Sequence, residues 1–120
     1  MKKITDKYHY IPIIDAGIKN SGYAYEEGLK RNVFVRDGDG KVLIGKVWPG
    51  DTAFVDFFQP NATIYWGDML DRLYQKVQFS GVWLDMNEYA NFCDGACYAQ
   101  SGKGFDYSKD LPYHPADDGI

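Results

Sequence analysis

The chemically loaded stretch of this sequence is Gly81-Val82-Trp83-Leu84-Asp85-Met86-Asn87-Glu88, where an apolar run from Val77 to Leu84 stops at acid and amide groups. A strand that feeds its last apolar position into Asp85 sets that carboxylate at the rim of a sheet, held by the scaffold and open to a ligand. Taking a carboxylate out of water is costly unless it is paired or hydrogen-bonded, so such a residue needs a partner or a purpose. In parallel α/β barrels the catalytic side chains sit at the C-terminal ends of strands. The same residues also have a structural reading, in which Asp85 caps the following turn and Glu88 is solvated. The flanking residues weigh on that choice.

Trp83-Leu84-Asp85-Met86-Asn87-Glu88 resembles the nucleophile motif of glycoside hydrolase family 31, the α-glucosidase family. Val47-Trp48-Pro49-Gly50 followed by Asp56-Phe57 resembles a second signature of that family. Ile11-Pro12-Ile13-Ile14-Asp15-Ala16-Gly17-Ile18 resembles a third, in which an apolar strand leads into Asp, a small residue or Pro, and Ile. Asn91-Phe92 also fits the pattern, and the blocks occur in family order.

The resemblance implies a retaining hydrolase of terminal α-linked glucose. Such enzymes use two carboxylates about 5 Å apart, one to attack the anomeric carbon and one to protonate the leaving oxygen. Asp85 is then the nucleophile, and the proton donor is an Asp far downstream of this segment, so that Glu88 supports the site. Trp48 is implied as the aromatic wall of the pocket for the non-reducing glucose; its alternative is a core role. Trp83, Met86 and Phe92 resemble further lining positions. Ile13 and Asp15, at the end of the preceding strand, match a pocket contact and a structural acid. The implied partner is a maltose-like oligosaccharide, with no cofactor and no metal. α-Xylosidase, α-glucan lyase and the glycoprotein-trimming glucosidase share much of the pattern, and a truncated, non-catalytic gene product is the alternative of a different class. Asn91-Phe92-Cys93 with Cys97 leans towards the secreted or lysosomal maltase type, which puts the parent protein in the secretory pathway.

Cys93 and Cys97 are the only cysteines. Zinc would need two more ligands nearby, and His9 and His114 lie far off. A small disulfide loop beside the site and a pair of free thiols both remain open; the first suits an oxidising compartment. Asn61-Ala62-Thr63 is a glycosylation sequon, relevant if the parent is eukaryotic and secreted.

The elements that must position these groups follow from the patterning. Residues 8–14 form an Ile-rich run ending at Asp15-Ala16-Gly17, read as a buried parallel strand. Residues 20–28 show no clear period and read as a loop with at most a short helical turn. Val33-Phe34-Val35 and Val42-Leu43-Ile44 flank Asp37-Gly38-Asp39-Gly40, a hairpin signal over 33–44; calcium is disfavoured because Lys41 stands where a ligand is needed and the Gly comes too early. After Trp48-Pro49-Gly50 the segment to Phe58 reads as irregular. Trp66, Met69, Leu70, Leu73, Tyr74 and Val77 recur at helical spacing and predict a helix over 61–76. A strand over 78–85 follows, and residues 95–120, rich in Gly, Ser and Asp, read as a long loop. Strand, helix and strand make a βαβ unit, which demands a parallel pair.

Composition sets the outer bounds. A chain of 120 residues with 45% hydrophobic content can bury a small core. It cannot hold a whole eight-stranded barrel, which takes on the order of 250 residues. The expected fold class is therefore α/β, a fragment of a (β/α)8 TIM barrel around strands 3–4 with an inserted β-hairpin. A net charge of −4 with no long basic run gives no electrostatic footprint for nucleic acid. No apolar run approaches the ~20 residues of a membrane span, and the N-terminus lacks the apolar stretch of a signal peptide. Aromatic content of 17% suits either a sugar-binding cleft or an ordinary core.

Overall fold

The computed structural model describes residues 8–88, 90–93 and 96–97. The described chain runs β1 (Ile13–Asp15), β2 (Gly17–Lys19), α1 (Tyr23–Arg31), β3 (Ile44–Val47), β4 (Gly50–Phe54), α2 (Ala62–Lys76) and β5 (Trp83–Asp85). These strands form two separate sheets. β1 and β5 pair in parallel, with Ile13 beside Trp83, Ile14 beside Leu84 and Asp15 beside Asp85. β2, β4 and β3 form an antiparallel sheet in the order β2-β4-β3.

The parallel pair is shorter than its apolar runs. The run over 8–14 contributes only its last residues to β1, and the run over 78–85 only Trp83–Asp85. Pro12 has no N–H to donate, so a regular ladder cannot extend back through it. Contact persists upstream through single bonds: Ser80 N–H donates to the Tyr10 carbonyl at 2.8 Å and Trp83 N–H to the Pro12 carbonyl at 2.9 Å. The pair is also not buried as a parallel strand is expected to be, since Ile13, Trp83 and Leu84 are each more than half exposed. Behind it, Ile14, Ala16, Phe57, Trp66, Leu84 and Asn87 line a cavity of about 170 Å³. That places helix α2, through Trp66, on the Ile14 and Leu84 face. Ile13, Asp15, Trp83 and Asp85 project to the opposite face, because side chains alternate along a strand.

The segment between β1 and α2 differs most from its sequence reading. Within residues 20–28, expected as a loop with at most a short helical turn, helix α1 begins and runs over Tyr23–Arg31, supported by Glu27 paired with Lys30 and Arg31 and by Tyr25 stacked on Phe34 at 5.4 Å. The helix ends at Asn32, which takes the left-handed conformation at φ 54°; Val33 N–H then bonds the Gly28 carbonyl at 3.1 Å, closing the last turn. Around the Asp-Gly turn, Asp37 Oδ1 accepts from the Asp39 and Lys41 N–H groups. The Arg36–Val42 bridge closes that turn, but Phe34 bridges to Val55. The longer hairpin is β3–β4, built partly from residues 50–54 that read as irregular, with Trp48-Pro49 at its tip. Gly50, at φ 96°, supplies the backbone conformation this tight turn needs.

The core joins the segment between β1 and α2 to helix α2 itself. Val33, Phe34, Ala53, Val55, Ala62 and Tyr65 form one buried cluster, with Ile18, Tyr25, Val42, Ile44, Trp66 and Met69 packed against it. Ala62, Tyr65, Trp66 and Met69 recur at helical spacing, which is why α2 presents one face to the sheet. Tyr65 is wholly buried, and its hydroxyl donates to the Ala24 carbonyl at 2.8 Å, tying α2 to α1. Burial pushes its phenol up to about 12, so it stays neutral in the folded chain. On the surface Arg31 links Glu27 of α1 to Asp68 of α2, and the hydrogen bond from Lys30, with the cations beside it, holds the Glu27 carboxyl below its usual range.

Candidate active site

Parallel register decides the geometry around Asp85. Asp15 and Asp85 are direct partners at the carboxyl ends of β1 and β5, so two carboxylates stand side by side on one face. They differ in surroundings. Asp85 is exposed and its Oδ1 accepts from the Met86 N–H at 2.9 Å. Asp15 is half-buried; its Oδ1 accepts from the Gly17 N–H at 2.8 Å, while its Oδ2 is buried with no hydrogen-bond partner. Such an oxygen is costly to leave unpaired.

The chain leaves β5 sharply. Met86 takes φ 56°, a left-handed conformation that non-glycine residues seldom adopt. Strain of this kind persists where the surroundings enforce it and gathers at functional sites. It turns the chain away as soon as Asp85 is placed, leaving that carboxylate at the rim. Glu88 is exposed and no hydrogen bond joins it to Asp85 among the described residues.

The apolar residues singled out from sequence separate into two groups. Ile13 and Trp83 sit side by side on the same face as the two carboxylates, one strand step before them. Trp48 and Phe92 come together elsewhere: their rings meet edge to face at 5.2 Å and 84°. Trp48 is 78% exposed at the β3–β4 tip, so among the described residues it is not a core side chain. Cys93 and Cys97 are joined in a disulfide, which closes the alternative of free thiols in this structure. Residues 98–120, most of the expected terminal loop, lie outside the described residues, as do residues 94 and 95.

Two residues at this site were not assigned roles from sequence. Asn91, noted only as part of a motif, uses its side-chain oxygen to accept from the Lys46 N–H at 2.9 Å. Gly45 makes room for it, since a Cβ there would lie 2.6 Å from that oxygen and 2.5 Å from the Phe54 ring. A glycine inside the run Val42 to Val47 is a sequence signal of close backbone approach. No cluster of three or more His, Cys, Asp or Glu that could hold a metal occurs among the described residues, and no described helix is long and apolar enough to cross a membrane.

Comparison with known proteins identifies the family. Residues 1–114 match the model of the glycosyl hydrolases family 31 TIM-barrel domain. The chain is 43% identical over 115 residues to a mouse protein named lysosomal alpha-glucosidase, covering 92% of this chain and 12% of that one. It is 39% identical over 105 residues to Alpha-xylosidase 1 of Arabidopsis thaliana, covering 82% of this chain and 11% of the relative. Among solved structures, the Tris-bound glucosidase II alpha subunit superposes with a TM-score of 0.65 at 28% identity, over 76% of this chain and 10% of that one. The chain thus spans about a tenth of the length of the relatives it matches.

Proposed function

Because this chain belongs to the TIM-barrel domain family of the family 31 glycosyl hydrolases, we propose that it is the part of a retaining α-glucosidase that carries the nucleophile, Asp85. In this reading β1 and β5 are the third and fourth strands of the barrel, and residues 17–54 are an insert in their connection. The observation that carries the proposal is the register of Asp85 with Asp15 at the carboxyl end of the parallel pair, where barrel enzymes keep their chemistry.

The mechanism follows from that position. The Asp85 carboxylate attacks the anomeric carbon of a terminal α-linked glucose, the bond to the leaving oxygen breaks, and a covalent glycosyl-enzyme forms. The Met86 N–H, bonded to Oδ1, orients the carboxylate. A second carboxyl group, an Asp of the longer protein, protonates the leaving oxygen and then takes a proton from the water that hydrolyses the intermediate. Asp15 braces the turn into β2 through the Gly17 N–H. Ile13 and Trp83 floor the site, Met86 and Phe92 complete its lining, and Trp48 offers its exposed ring to the apolar face of the sugar. Glu88, exposed on the turn after β5, is a supporting residue of the site.

A relative named for xylose shares the matched segment, so α-xyloside is the rival substrate. The test is hydrolysis of maltose, an aryl α-glucoside and an aryl α-xyloside by the full-length enzyme and its Asp85→Ala variant, with the 120-residue chain alone alongside. Glucoside turnover that disappears in Asp85→Ala, with none from the isolated chain, is the expected result. Preference for the xyloside would move the substrate assignment, and turnover surviving Asp85→Ala would remove the nucleophile.

A further inference from the structure

Trp48 and Phe92 belong to segments far apart in sequence, so their edge-to-face contact depends on where the loop after β5 lands. Asn91 decides that. Its Oδ1 accepts from the backbone N–H of Lys46 at 2.9 Å and of Cys93 at 3.3 Å, and the neighbouring Phe92 N–H donates to the Lys46 carbonyl at 2.8 Å. Both backbone groups of Lys46 are therefore taken by residues 91 and 92. β3 is an outer strand in the order β2-β4-β3, and its outward-facing groups are the ones an added strand or loop would use. The loop is docked on this edge much as an extra strand residue would be.

Two further features fix the docking. Gly45 leaves the space that the Asn91 oxygen fills, with the Phe54 ring closing the other side. The Cys93–Cys97 disulfide ties the loop directly after it, and Ala96 within that loop is buried. The arrangement needs an acceptor oxygen at the length of an Asn side chain, and it holds Phe92 at a set place across Trp48.

We infer that Asn91 is a positioning residue of the sugar-binding wall: by docking the loop after β5 on the β3 edge it fixes Phe92 against Trp48 and sets the width of the wall that the terminal sugar meets. This rests on the α-glucosidase reading. Asn91 touches no substrate; it acts through the two rings. Asp at this position keeps the acceptor oxygen, whereas Ala removes it.

The experiment is steady-state kinetics on maltose with the full-length enzyme carrying Asn91→Ala, Asn91→Asp, Trp48→Ala, and Trp48→Ala with Asn91→Ala. Asn91→Ala is expected to raise KM about tenfold with kcat changed less than about threefold, as a loss of uniform binding does. Asn91→Asp should stay within about threefold of wild type in KM. In the Trp48→Ala background, Asn91→Ala should add less than about twofold, because sites acting through one contact are not additive. An unchanged KM in Asn91→Ala, or full multiplication of the two effects in the double variant, overturns the inference. Should Asn91→Ala fail to fold, Asn91→Ser, too short to reach Lys46, carries the same expectation and the same refutation. Asp85→Ala is assayed first: turnover that survives it refutes the glucosidase reading and this inference with it, whereas a failure confined to the Asn91 variants leaves that reading standing.

Discussion

The insert and the parallel pair are built on opposite terms. Where the insert packs on α2, Val33, Ala53, Val55, Ala62 and Tyr65 are fully buried, α1 and α2 are joined by a buried hydroxyl and a surface ion network, and the side chains hold one another. The β1–β5 pair has only a short ladder, exposed Ile13, Trp83 and Leu84, and a left-handed residue directly after Asp85. Its carboxylates are placed by register more than by packing. Packing is thus concentrated in one region and the proposed chemistry in the other, and substitutions should separate them.

The largest effect belongs to Asp85. In the full-length enzyme Asp85→Ala should lower kcat by about three orders of magnitude or more, over 4 kcal/mol of barrier, while its exposure predicts little change in melting temperature. A variant that melts early and keeps its turnover would reverse the roles of the two regions. Tyr65→Ala is the opposite case: emptying a fully buried aromatic site should cost about 3–5 kcal/mol of stability, read from denaturant unfolding, with kcat of the folded fraction near wild type.

A pH experiment sharpens the same contrast. The Tyr65 phenol is raised from its ordinary value near 10 to about 12. The unfolded phenol ionises first, so the stability that depends on the neutral form is intact below pH ~10 and lost progressively up to pH ~12, amounting to about 2–3 kcal/mol. Comparing wild type with Tyr65→Phe isolates it: the alkaline fall should be smaller in the variant, and equal slopes would show that burial does not set this titration. The smallest effect should come from Trp48→Ala. Its ring is exposed, so stability should move by less than about 1 kcal/mol, while KM for maltose rises about tenfold to a hundredfold, as loss of one aromatic contact does. A collapse in melting temperature with normal kinetics would make Trp48 a packing residue.

The family resemblance was legible from the sequence because the motifs around Asp85 and Trp48 are contiguous, and family membership bears it out. The stripe Trp66, Met69, Leu73 was legible because helical periodicity is local, and it falls on Ala62–Lys76. Helix Tyr23–Arg31 was not: its sequence mixes Gly, Tyr and Glu without a clean stripe, and its support comes from Phe34 and Tyr65, which lie outside it. Strand Gly50–Phe54 was missed for a similar reason, since its partner β3 and the Gly50 turn give it a place that its own residues do not announce.

The sequence by itself determined the family and that an acid ends the apolar run into β5, because residue type and short-range period are properties of contiguous chain. Only the tertiary structure decided that Asp15 stands beside Asp85, that Phe92 meets Trp48, and that Asn91 finds Lys46 through the gap at Gly45. Each of those pairs joins segments far apart along the chain. Strand register arises from hydrogen bonds between backbones, which nearly every residue type can make, and a side chain such as Asn91 finds its backbone partner only once the fold has set the distance between the segments.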